Sequence, residues 1–188
     1  HEQEQLLVLM DHNLLNANGY ERLLTAGFRR SGNDIYRPHC PACHACQSLR
    51  IHSEHFRPSR GQKRIRQLNK DIDIVLSYDD KPEYYLLYER YIRERHHDGS
   101  MYPPNRSQYR GFLHCDWIPP LYLEMRKEGR LIGVATTDLL PHSLSAMYTF
   151  FDPDYADRSL GTFAILCQLD LARRTGRSWL YLGYLVEA

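Results

Sequence analysis

The order of elements between Leu121 and Gly183 restricts the architecture of this chain more than any other feature. Three stretches with strand-like alternation follow one another, Leu121 to Arg126, Leu131 to Leu139 and Leu144 to Phe151, with Glu128-Gly129 as a hairpin turn. An acidic loop leads into a helix from about Thr162 to Arg174, stopped near Gly176, and then to a strand from Trp179 to Gly183. Strands joined by short turns pair antiparallel, whereas a strand, loop, helix and strand in succession must pair in parallel. The expected class is α/β (α+β), a mixed sheet flanked by helices.

The preceding segments fit around that sheet. Ile72 to Tyr78 reads as a strand, and Asp80 caps a helix with Pro82 in its first turn and Glu83 three residues on. Tyr84, Leu87, Tyr88, Tyr91 and Ile92 recur at helical spacing, so one face of this helix packs on the sheet. Gly99, Pro103 and Pro104 break the stretch from His96 to Asn105, after which Asn105 with Gln108 opens a short helix to Leu113. Further upstream, Tyr20 to Ala26 is helical. Phe28 to Arg30 and Ile35 to Arg37 form a hairpin around Ser31-Gly32-Asn33-Asp34, Ser48 to Ser53 is a strand, and Ser59 to Asn69 is a basic helix. Charge divides the chain: Arg50 to Lys70 carries a local balance of +6, and Asp71 to Glu83 swings acidic. This break places a smaller cysteine-containing domain at 1–77 and a second domain at 78–188.

With 188 residues and a net charge of +1, the molecule as a whole exerts no general pull on nucleic acid or membrane, so any such attraction must be local. The longest clean apolar run, Leu6 to Met10, is far short of the roughly 20 residues that span a bilayer, and no basic segment precedes it as in a secretory signal. Five cysteines, three of them within seven residues, do not resemble a secreted disulfide framework. A reducing, cytoplasmic setting is expected. The chain begins without Met and stops inside the apolar stretch Trp179 to Val186, and is expected to be a trimmed piece of a longer protein.

Four segments carry chemistry. Arg158-Ser159-Leu160-Gly161-Thr162 lies between a strand and a helix, where backbone N–H groups at the helix start favour an anion. It resembles the loop with which the GCN5-related N-acetyltransferase superfamily holds a coenzyme A pyrophosphate, except that Phe163 replaces a small residue and is expected to crowd that approach. Arg95-His96-His97-Asp98 opens a loop rich in proton-transfer groups that can border an active site. Cys40, Cys43 and Cys46 present three thiols at a spacing that suits Zn2+ or an iron–sulfur cluster. A fourth ligand would come from Cys115, a histidine or a cysteine upstream, and the other reading of this run is a structural turn with unligated thiols. Lys63 and Arg64 belong to a basic stretch able to dock on phosphates, which as a plain solvated helix face would need no partner.

Taken together, Gly27-Phe28-Arg29-Arg30-Ser31-Gly32, the cysteine run, Arg95 to Met101, and Phe150 to Asp154 continuing through Thr162 to Tyr184 resemble the aminoacyl-tRNA-protein transferases. The resemblance is specifically to the bacterial aspartate/glutamate leucyltransferase branch, related to eukaryotic arginyltransferase. The resemblance implies an acetyltransferase-like second domain and no cofactor required for the chemistry. It implies transfer of leucine from leucyl-tRNA to proteins with N-terminal Asp or Glu, creating a destabilising N-terminus for degradation. On that reading His96, His97, Asp98, Tyr148, Tyr181 and Tyr184 surround the reaction, and Arg158, Ser159, Gly161, Thr162, Lys63 and Arg64 meet the tRNA. One of Arg95, Arg106 and Arg110 would grip the acceptor carboxylate. Two other readings stay open on sequence: a coenzyme A-dependent N-acetyltransferase, and a zinc-knuckle RNA-binding module without catalysis.

Overall fold

The computed structural model describes residues 5–41 and 43–186. Its elements are β1 (Leu6–Val8), α1 (Ala17–Thr25), β2 (Arg29–Ser31), β3 (Asp34–Pro38), β4 (Cys46–His52), α2 (Arg60–Leu68), β5 (Asp73–Ser77) and α3 (Pro82–Arg95). There follow α4 (Arg106–Leu113), β6 (Pro120–Lys127), β7 (Arg130–Leu139), β8 (Ser143–Phe151), α5 (Leu160–Arg174) and β9 (Trp179–Val186), with a 3-10 turn at Pro153–Arg158 ahead of α5. Six strands form one mixed sheet in the order β4-β9-β8-β7-β6-β5, and β1-β3-β2 form a small antiparallel one. Strands from both sides of residue 78 enter the larger sheet.

The antiparallel meander β6-β7-β8 and the parallel return of β9 onto β8 follow the expected order. Glu128 and Gly129 both adopt positive φ, 52° and 80°, the turn geometry that matches the twist of two paired strands. Ser59 caps α2 with a complete capping box: Gln62 N donates to the Ser59 hydroxyl, and the Ser59 N–H donates to the Gln62 side chain. The start of α3 departs from expectation. Lys81, not Asp80, occupies the cap position and no side chain caps the helix. Glu83 cannot reach back because Arg126 holds it at 2.5 Å.

Helices cover both faces of the sheet. On one, Tyr84, Tyr88 and Ile92 of α3 and Tyr109 of α4 pack on Tyr122, Val134 and Phe150. On the other, Leu160, Phe163, Ala164 and Cys167 of α5 pack on Leu123, Met125, Ile132 and Ala135. Each large apolar side chain so buried contributes about 1.5–3 kcal/mol of transfer free energy. α2 lies outside α5, joined by a two-pronged ion pair from Arg66 to Asp170 at 2.6 and 3.0 Å. Tyr20, Leu24, Phe28 and Ile35 close a third core against Ile118, Leu140 and Tyr181.

Two contacts fix α4. The turn between β2 and β3 needs Gly32, with φ +59°, because a Cβ there would lie 2.3 Å from the Gly111 carbonyl oxygen, and Gly32 N donates to Phe112 O at 2.7 Å. Arg30 then grips Asp138 of β7 with two bonds of 2.6 and 2.7 Å while donating to Leu113 O at 3.1 Å.

Candidate functional site

The sheet opens at one place. β8 and β9 pair only at Ser143–Trp179, Leu144–Leu180 and Ser145–Tyr181 and then part. Both strands are irregular there: β8 carries an extra residue, Met147, against β7, and β9 runs one residue long against Ser48 and Arg50 of β4. Such bulges bend a strand and re-aim its side chains. The parting strands end where α5 begins. Ser159 sits in the left-handed region at φ 52° and ψ 48° and makes no side-chain cap. A Cβ on Gly161 would meet nothing within 4 Å, and the first turn of α5 carries the positive end of the helix dipole.

Aromatic side chains wall this end. His96 Nε2 lies 3.0 Å from the Tyr91 hydroxyl. Tyr91 packs on Phe151 at 5.0 Å between ring centroids and on Tyr148 at 6.3 Å, and Phe112 of α4 meets Tyr148 edge-on at 5.8 Å. The structure thus brings His96 and Tyr148 together through Tyr91. Burial, reinforced by Tyr91 and Tyr88, pushes the Tyr148 hydroxyl well above its ordinary range, so it stays protonated and is a hydrogen-bond donor. His97 and Asp98 are exposed and make no hydrogen bond among the described residues.

Tyr181 takes a different place from the cleft wall expected of it. It is 2% exposed, inside the third core, with Arg29 5.4 Å above its ring and its hydroxyl 3.4 Å from Arg50. Alternation along β9 turns it toward the small sheet. Tyr184 donates to Gly27 O at 2.7 Å and lines a cleft of about 470 Å3 with the cysteine loop. Arg29 braces that region: it donates to Leu182 O at 2.6 Å, to the Ser48 hydroxyl at 2.6 Å and to Leu49 O at 3.1 Å. Cys40 is half-buried, and Cys43 and Cys46 are exposed. Cys43 Sγ accepts from Ala45 N at 3.5 Å, and among the described residues no three His, Cys, Asp or Glu side chains are placed to hold a metal ion. In this arrangement the three thiols do not make a closed ligand set.

Of the residues expected to meet tRNA, Ser159, Gly161 and Thr162 form the open start of α5, and Lys63 and Arg64 are exposed on neighbouring α2. Arg158 is committed elsewhere, paired with Asp71 at 2.6 Å and lying over the Tyr155 ring. Phe163 does not crowd the helix start, because its side chain is turned into the core beneath α5. Arg95 lies over the Phe151 ring at 5.1 Å near the parting strands. Arg106 and Arg110 stand apart from it on α4, above the start of α3.

Sequence reasoning passed over Asp138 and Glu124, and took Arg30 only as part of a motif and Asp80 only as a helix cap. The pair Arg29-Arg30 stood inside a recognised motif, but Asp138, the ion-pair partner of Arg30, lies 108 residues away, and nothing local distinguishes a buried guanidinium from an exposed one. Glu124 is enclosed by Lys81, Arg126 and Tyr84.

The comparisons agree along the whole chain. The profile described as Arginine-tRNA-protein transferase, N terminus, matches residues 1–64, and its C terminus counterpart matches residues 83–188. Aspartate/glutamate leucyltransferases of Aeromonas salmonicida and Aeromonas hydrophila are each 89% identical over 188 and 187 residues, covering 100% of this chain and 79% of each relative. That of Pseudoalteromonas atlantica is 54% identical over 186 residues, covering 99% of this chain and 80% of the relative. Among solved structures, a DUF2156 domain from Agrobacterium fabrum has a TM-score of 0.55 at 14% identity, covering 87% of this chain and 50% of that one. The L-PGS structure from Bacillus licheniformis has a TM-score of 0.51 at 8% identity, covering 89% and 49%. These two share the fold alone. By profile and by identity over its length, the chain belongs to the aminoacyl-tRNA-protein transferase family, alongside the aspartate/glutamate leucyltransferases.

Proposed function

We propose that the protein transfers leucine from leucyl-tRNA to the N-terminal Asp or Glu of acceptor proteins in the cytoplasm, marking them for degradation. The observation that carries this reading is the 89% identity, unbroken over the chain, to relatives of that name. The geometry supports it: an acetyltransferase-like parting of β8 and β9 lies on the chain just ahead of the start of α5, and no cofactor is needed for aminolysis of an ester. Among the described residues no helix is long and apolar enough to cross a membrane.

The acceptor amine nitrogen bonds to the leucyl carbonyl carbon, and one amine proton leaves. The bond from that carbon to the ribose oxygen then breaks, and the ribose oxygen takes a proton. An α-amine has a pKa of about 7.7–8.0, so the site must favour the free base and accept its proton. The histidine loop at 96–98 borders the cleft and supplies that acceptor. Tyr148, held protonated by burial, and free backbone N–H groups along β8 donate to the oxyanion as it forms. The amides of Gly161 and Thr162 take the terminal phosphate of the tRNA, with Lys63 and Arg64 along its path. Arg158, tied to Asp71, contributes at the edge of that site. Cys40, Cys43 and Cys46 would hold Zn2+ or an iron–sulfur cluster only once drawn together with a fourth ligand, and no step above passes through them.

The test is a transfer assay with several charged tRNAs, an Asp-initiated peptide, and acetyl-CoA in a parallel reaction. Leucyl extension of the peptide is expected. Acetylation without leucyl transfer, or no product from any aminoacyl-tRNA, would overturn the proposal.

A further inference from the structure

We infer that the cleft between the start of α3, α4 and β6 seats the acceptor's N-terminal residue, with Asp80 facing its ammonium group and Arg106 and Arg110 gripping its side-chain carboxylate. The identity of the ligand rests on the transfer reading above. The site itself rests on geometry. A recess of about 90 Å3 beside Arg106 and a groove of about 510 Å3 running toward Tyr122 share Asp80, Tyr109 and Arg110 as common walls. Six other arginines, Arg30, Arg66, Arg90, Arg126, Arg130 and Arg158, are spent on ion pairs among the described residues. Among the described residues neither Arg106 nor Arg110 has one. Arg106 lies over the Tyr85 ring at 4.4 Å, and among the described residues its guanidinium makes no hydrogen bond. Tyr109 is 4% exposed, and its hydroxyl is buried beside Asp80; burial raises the Asp80 carboxyl pKa, and the charges of Arg110 and His114 with a hydrogen bond from Tyr109 act against that rise.

The charges have the pattern of the ligand. A chain beginning with Asp or Glu carries a cationic nitrogen and an anionic carboxylate a few bonds apart. The cleft offers one carboxylate without an ion pair among the described residues and two planar forks suited to bidentate recognition. Arg106 and Arg110 stand four residues apart on one helix face, about 5–6 Å between Cβ atoms. A carboxylate displaced by one methylene therefore still meets one of them, which accounts for acceptance of both Asp and Glu. The groove also leads toward the reaction. It shares Leu113, Pro120 and Tyr122 with a small recess that ends at Met147, the extra residue of β8 where that strand leaves β9.

Binding is read by fluorescence anisotropy of a peptide labelled at its C-terminus, added to the full-length protein without tRNA. An Asp-initiated peptide should bind, and its Asn-initiated and N-acetylated counterparts should bind about 10-fold or more weakly, the scale of one charge-assisted contact. Arg110→Ala and Asp80→Asn should each weaken the Asp-initiated peptide by a similar factor. Arg110→Lys, which keeps the charge and loses the fork, should fall between, with an unchanged melting profile showing that the fold persists. Equal affinity of wild type, Arg110→Ala and Asp80→Asn for the Asp-initiated peptide, or equal affinity of wild type for the Asp and Asn peptides, would overturn the site. Leucyl transfer by the wild type is measured in parallel. Transfer with unaltered binding in the variants refutes the site alone, and lost binding in the variants without wild-type transfer refutes the activity and leaves the site standing.

Discussion

Replacing Asp138 by Asn tests how the cleft is held together. Arg30 and Asp138 have side-chain exposures of 4% and 3% and meet through bonds of 2.6 and 2.7 Å. Burial works against the charged guanidinium, but Asp138 more than offsets it and leaves the Arg30 pKa raised. Asn keeps the shape and removes the charge, stranding Arg30 in a dry site. Breaking a buried pair in this way costs about 3–5 kcal/mol. For a chain of this size each kcal/mol lowers the melting temperature by about 2–4 °C, so a fall of about 6–20 °C is expected. Denaturant titration and thermal melting at pH 7 give the two numbers. The double change of Arg30→Met with Asp138→Leu should recover most of the loss, because no unpaired charge remains. Arg30 also donates to Gly32 O at 2.9 Å and Leu113 O at 3.1 Å, so it pins α4. Below the melting transition Asp138→Asn should therefore raise KM for the peptide more than KM for leucyl-tRNA. A loss under about 1 kcal/mol, or a double variant as unstable as the single one, would refute the reasoning.

Glu124 gives a pH signature: burial raises its carboxyl pKa, but bonds from Arg126, Lys81 and Tyr84 overcome this and leave it at about 2. Its contribution is complete above the ordinary glutamate pKa near 4.3 and drains away as pH falls toward 2, about 2–3 kcal/mol in all; Glu124→Gln should flatten acid titrations of stability across that window, and an unchanged slope would contradict the network. Gly161→Leu should leave the melting temperature within a few degrees, because open space surrounds that position, yet raise KM for leucyl-tRNA by about 10-fold through blocking the amides beside it; an unchanged KM would move the tRNA end elsewhere. Arg158→Ala should change that KM less than Gly161→Leu does, and the reverse order would make its pair with Asp71 secondary to phosphate binding. Cys43 and Cys46 should react with a thiol reagent in the native protein, whereas Cys115 and Cys167, buried and with the Cys167 thiol pushed up to about 12, should react only on unfolding; native reactivity of Cys167 would contradict its place beneath α5.

The meander and the parallel return were legible because each is written locally, in alternation, turn residues and helix stops. The Glu128-Gly129 turn and the Asn105 cap needed only neighbours. What failed locally did so through distant competition. The expected cap at Asp80 loses because its carboxylate faces Tyr109 and Arg110 of α4 instead of the first amides of α3. Tyr181 was misplaced because alternation tells which side chains share a face and not which face stays wet. The loop at Arg158 was visible, but its partner Asp71 lies 87 residues away. Arg95, Arg106 and Arg110 were equal candidates in one dimension. Folding separates them, laying Arg95 over Phe151 and gathering the other two around Asp80 and Tyr109.

The central claim is that the aminoacyl end enters where β8 and β9 part, against the first turn of α5. Amide hydrogen exchange with a stable amide-linked leucyl-CCA analogue tests it most directly. Protection confined to residues 159–163 and the facing edges of β8 and β9 is the predicted outcome. Protection centred on the cysteine loop and Tyr184, with the start of α5 unaffected, would contradict the account.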